Sequence, residues 1–203
     1  MDDAAQIKQN VANFAYRDQA RWEELRDLFQ PDGTIAVTWY TGPIDGFIEG
    51  SRKMMTSGAA KTRHWIGASR TMINGDRAIC DSDVIIMART KLVGAEIDIT
   101  SWARFFDRFE RRTDRVWRVT RRVAVYEKDR IDPLRPSFRF ALLYRFAGFS
   151  RYPASYKHLA AALVRSGQKI NADIVEAGSA AEQDLWHNAR QWLDQSRERR
   201  AAQ

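Results

Sequence analysis

Asp18 and His64 are the two side chains whose types and positions could carry chemistry together. Asp18 lies in IKQNVANFAYRDQARWEELRDLF, residues 7–29. On a helical period Ile7, Val11, Phe14, Trp22, Leu25 and Phe29 form one apolar stripe. Asp18 falls inside that stripe, four residues after Phe14 and four before Trp22, whereas Glu23, Glu24 and Asp27 lie off it. A carboxylate aimed at an interior must be paired, hydrogen-bonded or neutralised, because an unpaired buried charge is costly. His64 lies in KTRHWIGASR, where a two-residue period puts it on one face with Ile66 and Ala68. A carboxylate that holds one imidazole nitrogen fixes the tautomer and leaves the other nitrogen as a general base. Each group would also relieve the other's burial. A plainer reading stays open for both: Asp18 as the cap of a second helix after a break near Arg17–Ala20, and His64 as a satisfied core histidine.

The elements that must position this pair follow from the patterns around it. After the helical stretch, Gln30-Pro31-Asp32-Gly33 reads as a turn, TIAVTWY (34–40) as a strand, Thr41-Gly42-Pro43 as a second turn and 48–55 as a short helix. Long strands are expected over 62–73, 77–90, 97–109 and 116–126, the first two joined by a tight Asn74-Gly75-Asp76 turn. Helices followed by a run of long strands argue for an α+β fold. Asp132-Pro133 and Arg135-Pro136 should end the sheet near residue 130. Beyond them Pro153 opens a helix stopped by Gly167, and Ser179-Ala180-Ala181-Glu182 is a capping box before a helix with Leu185, Trp186, Ala189, Trp192 and Leu193 on one face. The expected organisation is a domain over 1–130 and a helical extension over 131–203 that packs on it or on a second subunit.

Composition narrows the classes of function. With 203 residues, 44% of them hydrophobic, and seven tryptophans, the chain can bury a substantial core. The acidic start MDDAAQIK has neither a basic nor an apolar leader region, and no apolar run approaches the ~18 residues that span a bilayer. The single Cys80 excludes an intrachain disulfide and suits a reducing, cytoplasmic setting. Three scattered histidines give no expectation of a metal site, and neither GxGxxG nor GxxxxGK[ST] occurs to suggest a nucleotide cofactor. The net charge of +7 comes from arginines gathered between Arg104 and Arg122 and between Arg135 and Arg151. That excess reads as a solvated face rather than as a surface for nucleic acid or membrane.

Three segments in order, FAYRDQARWEELRDLFQPDGTI, RHWIGASRTMINGDRA and ARFFDRFERRTDRVWRVTRR, resemble the SnoaL-like branch of the nuclear transport factor 2-like superfamily. The likeness spans about Ile7 to Asp129. It implies a cone-shaped α+β barrel, a curved antiparallel sheet wrapped around N-terminal helices with a pocket inside. Within the branch the chain looks most like scytalone dehydratase, hexachlorocyclohexane dehydrochlorinase and bile acid 7α-dehydratase. The resemblance implies an Asp–His dyad that works without a cofactor, and it falls on Asp18 and His64.

Such a dyad needs a partner for the leaving group. Tyr16, Trp39, Tyr40, Arg104 and Arg121 are the substrate-binding candidates. Arg121 shares strand parity with Trp117, Val119 and Val123 and should face the interior, with Arg122 pointing away. The leading expectation is a cofactor-independent lyase of the dehydratase or dehydrohalogenase type, acting on a small apolar cyclic or aromatic molecule. Alternatives are an isomerase using the same pocket, or a non-catalytic binding or assembly module. A homo-oligomer, dimer or trimer, is the expected assembly.

Overall fold

A computed structural model describes residues 2–58, 61–92, 94–136 and 138–201, and at 139, 143 and 196–201 the backbone only. The apolar stripe of the first stretch is delivered by three short helices. Helix α1 (Asp3–Ala12) is capped by Asp2 and buries Ile7 and Val11. A 3-10 segment, Asn13–Gln19, then tightens the coil and buries Phe14 and Arg17. It ends at Ala20, whose positive φ of 57° breaks the path before α2 (Trp22–Asp27). The break therefore falls just after Asp18. The residue preceding α2 is Arg21, with no side-chain cap, so Asp18 does not cap that helix.

Strand β1 (Phe29–Val37) starts earlier than its turn-like PDG sequence suggests, and Phe29 belongs to it rather than to the helix. Its register against β6 shifts between Phe29 and Thr34, so Pro31, Asp32 and Gly33 sit in an irregular stretch of strand instead of a turn. The strand stops at Val37; Thr38 and Trp39 form the hairpin turn into β2 (Tyr40–Pro43). Thr41-Gly42-Pro43 is strand, not turn. Helix α3 (Ile44–Thr56) follows directly, and its Gly50 leaves room for Trp39, since an added Cβ would come within 2.6 Å of that ring.

The long strands are β3 (Lys61–Asn74), β4 (Arg77–Leu92), β5 (Ala95–Arg111) and β6 (Trp117–Pro133). Gly75, at φ 63°, makes the β3–β4 turn. Strand β6 runs on to Pro133 because Ile131, Asp132 and Pro133 still pair with β5. The sheet order is β2-β1-β6-β5-β4-β3, with β1 parallel to β6 and the rest of that path antiparallel. Curved and unclosed, the sheet carries the N-terminal helices on its inner face. A two-residue strand β7 (Val175–Glu176) adds in parallel to β6.

Helices from the last third of the chain use both faces of the sheet. Helices α4 (Phe138–Tyr144) and α5 (Lys157–Arg165) contribute Phe140, Leu159, Ala160 and Ala161 to the same inner core as Ile7, Phe14, Ile86 and Phe105. Helix α6 (Ala180–Ala201) lies on the outer face, where Leu185, Ala189 and Leu193 cover Ile79, Phe106, Val123 and Val125. Its start is half of the expected capping box. Ser179 Oγ accepts from the Glu182 N–H, but the Glu182 carboxylate accepts from the Gly178 N–H and also meets Arg104. Among the described residues no helix is long and apolar enough to cross a membrane.

Candidate active site

The 3-10 segment and β3 bring Asp18 and His64 together, 46 residues apart in the chain. The His64 backbone N–H donates to Asp18 Oδ2 at 2.5 Å, and its ring Nδ1–H donates to Asp18 Oδ1 at 2.9 Å. Two contacts from one residue fix both the strand and the imidazole relative to the carboxylate. Only 2% of the Asp18 side chain and 10% of the His64 side chain are exposed. Arg17 adds a third group, its Nη1 donating to Asp18 Oδ1 at 3.2 Å. Phe14 packs edge-on against the His64 ring with centroids 5.4 Å apart.

The electrostatics set the proton distribution. Burial pushes the Asp18 carboxyl up, but the hydrogen bonds and charge of His64, with Arg17, outweigh it and leave the pKa below the ordinary carboxylate value. Burial drives the His64 imidazole down. Asp18 pulls it up, Arg17 and Arg122 push it down again, and the net direction is below the ordinary histidine value. At neutral pH the pair is therefore an aspartate holding a neutral imidazole, with the proton on Nδ1. Nε2 then carries a lone pair, and it has no hydrogen-bond partner among the described residues.

His64, Asp18 and Arg17 all line a cavity of about 450 Å³. Its walls are mainly apolar, with Phe14, Trp39, Phe47, Ile86, Phe105 and Leu163 among them. Trp39 is held there by stacking on Phe47, with centroids 5.2 Å apart. Opposed polarity comes from Thr38 and Tyr126: the Tyr126 hydroxyl accepts from the Thr38 N–H at 3.1 Å and from its hydroxyl. Leu159, Ala162, Leu163 and Ser166, in and just after α5, complete the enclosure, so the last third of the chain builds part of the wall. Among the described residues no three His, Cys, Asp or Glu side chains are placed to share a metal ion.

Of the five residues expected to bind substrate, only Trp39 lines this cavity. Tyr16 lies under the Arg21 guanidinium, 4.2 Å from it. The Tyr40 hydroxyl donates to the Pro43 carbonyl at 2.8 Å against α3. Arg104 points to the outer face, where it binds Asp81, Glu127 and the Glu182 of α6. Arg121 is exposed and Arg122 fully buried, the reverse of the expected parity. The cause is a bulge: Arg108 pairs with Arg121 but Phe109 with Val119, so Thr120 is an extra residue and the β6 side chains from Arg121 to Tyr126 change face, until a second bulge at Glu127. A similar irregularity in β3 keeps His64 and Ile66 inside but turns Ala68 outward, since Val84 pairs with Ile66 and Ser82 with Ser69.

Arg17 and Tyr126 are polar cavity residues that the sequence reading does not single out. Arg17 lies three residues after Phe14, on the same stripe, and that spacing is the available signal. Its Nε is buried without a hydrogen-bond partner. Nothing local marks Tyr126, because the Thr120 bulge decides which way it faces. A second histidine–aspartate pair offers a contrast. His158 Nδ1 meets Asp129 at 2.8 Å, but its Nε2 is taken by the Tyr144 hydroxyl at 2.8 Å. With both nitrogens occupied, that pair ties α5 to β6 and offers no free base.

Comparison with known proteins bears on this geometry. A family profile described as a SnoaL-like domain matches residues 1–123. A protein of Aspergillus terreus (strain NIH 2624 / FGSC A1156), described as an uncharacterized protein, is 32% identical over 162 residues, 71% of this chain. The match spans 58% of that fungal protein's length. Among solved structures, similarity extends to a scytalone dehydratase-like protein of Novosphingobium aromaticivorans DSM 12444, with 16% identity and a TM-score of 0.54 over 66% of this chain and 91% of that one. A protein of unknown function from Mycobacterium tuberculosis has 17% identity and a TM-score of 0.51 over 84% of this chain and 94% of that one. At these identities the structural likeness carries the fold alone.

Proposed function

The chain belongs to the SnoaL-like domain family, whose superfamily includes scytalone dehydratase-like and polyketide cyclase/dehydratase members, and from that premise we propose that it is a cofactor-independent lyase using an Asp18–His64 dyad. The observation that carries the proposal is the His64 ring: Nδ1 is held by a buried carboxylate and Nε2 is unpartnered among the described residues, in a mainly apolar cavity. An apolar cyclic or aromatic molecule suits those walls.

In the proposed step, His64 Nε2 takes a proton from a carbon adjacent to the one bearing the leaving group. The C–H electron pair becomes the new carbon–carbon double bond, and the C–O or C–halogen bond breaks with its electrons on the departing atom. Asp18 stabilises the imidazolium that forms. Arg17 supplies positive charge at the cavity wall for the electrons that accumulate on the leaving atom. The proton then passes from His64 to the departing hydroxide or to solvent, restoring the base.

Proton abstraction can be tested without the natural substrate. Carbon-bound hydrogens of 2-tetralone, an apolar bicyclic ketone, exchange for deuterium in D2O when a base removes them, and proton NMR follows the loss of signal. The wild-type protein should accelerate exchange, and His64→Gln should reduce that acceleration by about 10²- to 10⁴-fold while keeping the circular dichroism and melting behaviour of a folded protein. A folded His64→Gln variant that exchanges as fast as wild type would remove His64 from the role.

A further inference from the structure

The cavity adjoins a second hollow of about 520 Å³, and Gly58, Lys61, Thr90, Ala162 and Ser166 line both. The two differ in character. Where the inner one is walled by aromatic and aliphatic side chains, the outer one carries Lys61, Arg89, Lys91 and Arg165. Glu96 is the one acidic residue among those that line it. Arg89 is already engaged, its guanidinium forked on Asp98 with two contacts of 2.7 Å. Arg165 donates to the Ala147 carbonyl at 3.2 Å but meets no carboxylate among the described residues. The side chains of Lys61 and Lys91 make no ion pair or hydrogen bond among the described residues, although Glu96 stands opposite Lys91 in the β4–β5 register. Elsewhere the chain's basic side chains are matched only in part, and Arg52, Arg108, Arg121 and Lys128 meet no carboxylate among the described residues. Arg104, Arg111, Arg112, Arg115, Arg118 and Arg122 each meet at least one carboxylate.

Unmatched cations at the mouth of an apolar cavity are a means of reading charge on whatever protrudes from it. We propose that the ligand of this protein has two parts: an apolar ring system that fills the inner cavity beside His64, and a flexible arm ending in an anionic group that lies among Lys61, Lys91 and Arg165. The inference rests on the apolar cavity of the proposed function and adds the class of its ligand. Lys61 makes the link physical, because it begins the strand that carries His64 and lines both hollows. A carboxylate and a phosphate share the chemistry those ammonium groups recognise.

The test uses two pairs of probes on the full chain, with affinities measured by isothermal titration calorimetry at low salt. One pair is 6-(2-naphthoxy)hexanoate and 6-(2-naphthoxy)hexanol, which differ only at the end of a long arm. The other is 2-naphthoxyacetate and 2-naphthoxyethanol, whose arms are four methylenes shorter. Wild type should bind the long acid about tenfold more tightly than the long alcohol, and the short acid no more tightly than its alcohol. Lys61→Gln with Lys91→Gln should reduce the long-arm preference below about threefold, the paired Lys→Arg changes should restore it, and added salt should erode it. A long acid bound no better than its alcohol, a preference that survives the double Gln variant, or no binding of either long probe would overturn the proposal. His64→Gln must leave the long-arm preference intact, so failure of the elimination chemistry and failure of the arm are read separately. Replacing the terminal carboxylate by a phosphate distinguishes which anion the rim favours.

Discussion

At the scale of single residues, the dyad makes a definite prediction about pH. The His64 pKa is depressed below its ordinary value of 6.5, so the imidazole is a neutral base at neutral pH. Protonation on acidification removes the base. Exchange of 2-tetralone should therefore stay level from neutral pH down past 6.5 and fall only at lower pH. Asp18→Asn removes the group that raises the His64 pKa, so its acid limb should lie lower still, with a rate reduced about 10²- to 10⁴-fold. An NMR titration of the His64 ring nitrogens checks both directions, and a limb at or above 6.5 would contradict the electrostatics. The same depression affects stability. The contribution from His64 is complete above 6.5 and is lost as pH falls through the folded-state value. These two residues are legible in the sequence because each breaks a pattern, a charge in an apolar stripe and an imidazole on an apolar face. Arg17 is less so: its step of three from Phe14 also fits the stripe, but an arginine there reads as a charged neighbour of Asp18 until the 3-10 segment is seen to bury it.

At the scale of elements, strand lengths are readable, and strand faces only as far as the first bulge. Apolar and β-branched runs mark β3 to β6 to within a few residues at most ends, with β6 the exception at its far end. Alternation is a reliable guide to orientation only while the register holds. The bulge at Thr120 leaves no mark in the sequence, yet it exchanges the roles of Arg121 and Arg122. Arg122 forks onto Asp107 at 2.7 and 2.6 Å with both side chains fully buried, and stacks within 4.4 Å of Phe105 and 4.7 Å of Phe14. Thus the rings beside His64 are backed by a buried ion pair. Arg122→Met should destabilise the fold by about 3–5 kcal/mol, because it strands the Asp107 charge. The double change to Arg122→Met with Asp107→Leu should recover most of that loss, since buried pairs are replaceable by apolar groups of similar volume. Arg121→Ala, on the exposed side, should fall within about 0.5 kcal/mol of wild type. Urea denaturation of the four proteins decides it, and equal losses for Arg121→Ala and Arg122→Met would mean the bulge is misplaced.

At the scale of the whole molecule, the sheet has two working faces, and Arg104 belongs to the one without the cavity. Its strand is rich in phenylalanine on both sides, so residue types alone do not say which face it takes; it lies outside, under α6. Burial works against its charge, yet Glu182 and Asp81 push its pKa up, so it remains a fixed cation binding helix to sheet. Asp81 and Glu182 are themselves only 7% and 14% exposed in their side chains. Loss of the guanidinium would leave both poorly compensated and loosen the cover over Ile79, Phe106, Val123 and Val125. Arg104→Ala should accordingly lower stability by about 1–3 kcal/mol and promote concentration-dependent association through the uncovered apolar face. Because the inner cavity keeps its lining, the variant's rate of 2-tetralone exchange under conditions where it stays folded should match wild type. Denaturation, light scattering and exchange kinetics on one preparation separate these effects. Unchanged stability with a lowered exchange rate would place Arg104 with the substrate after all, and would mean the two faces are not independent.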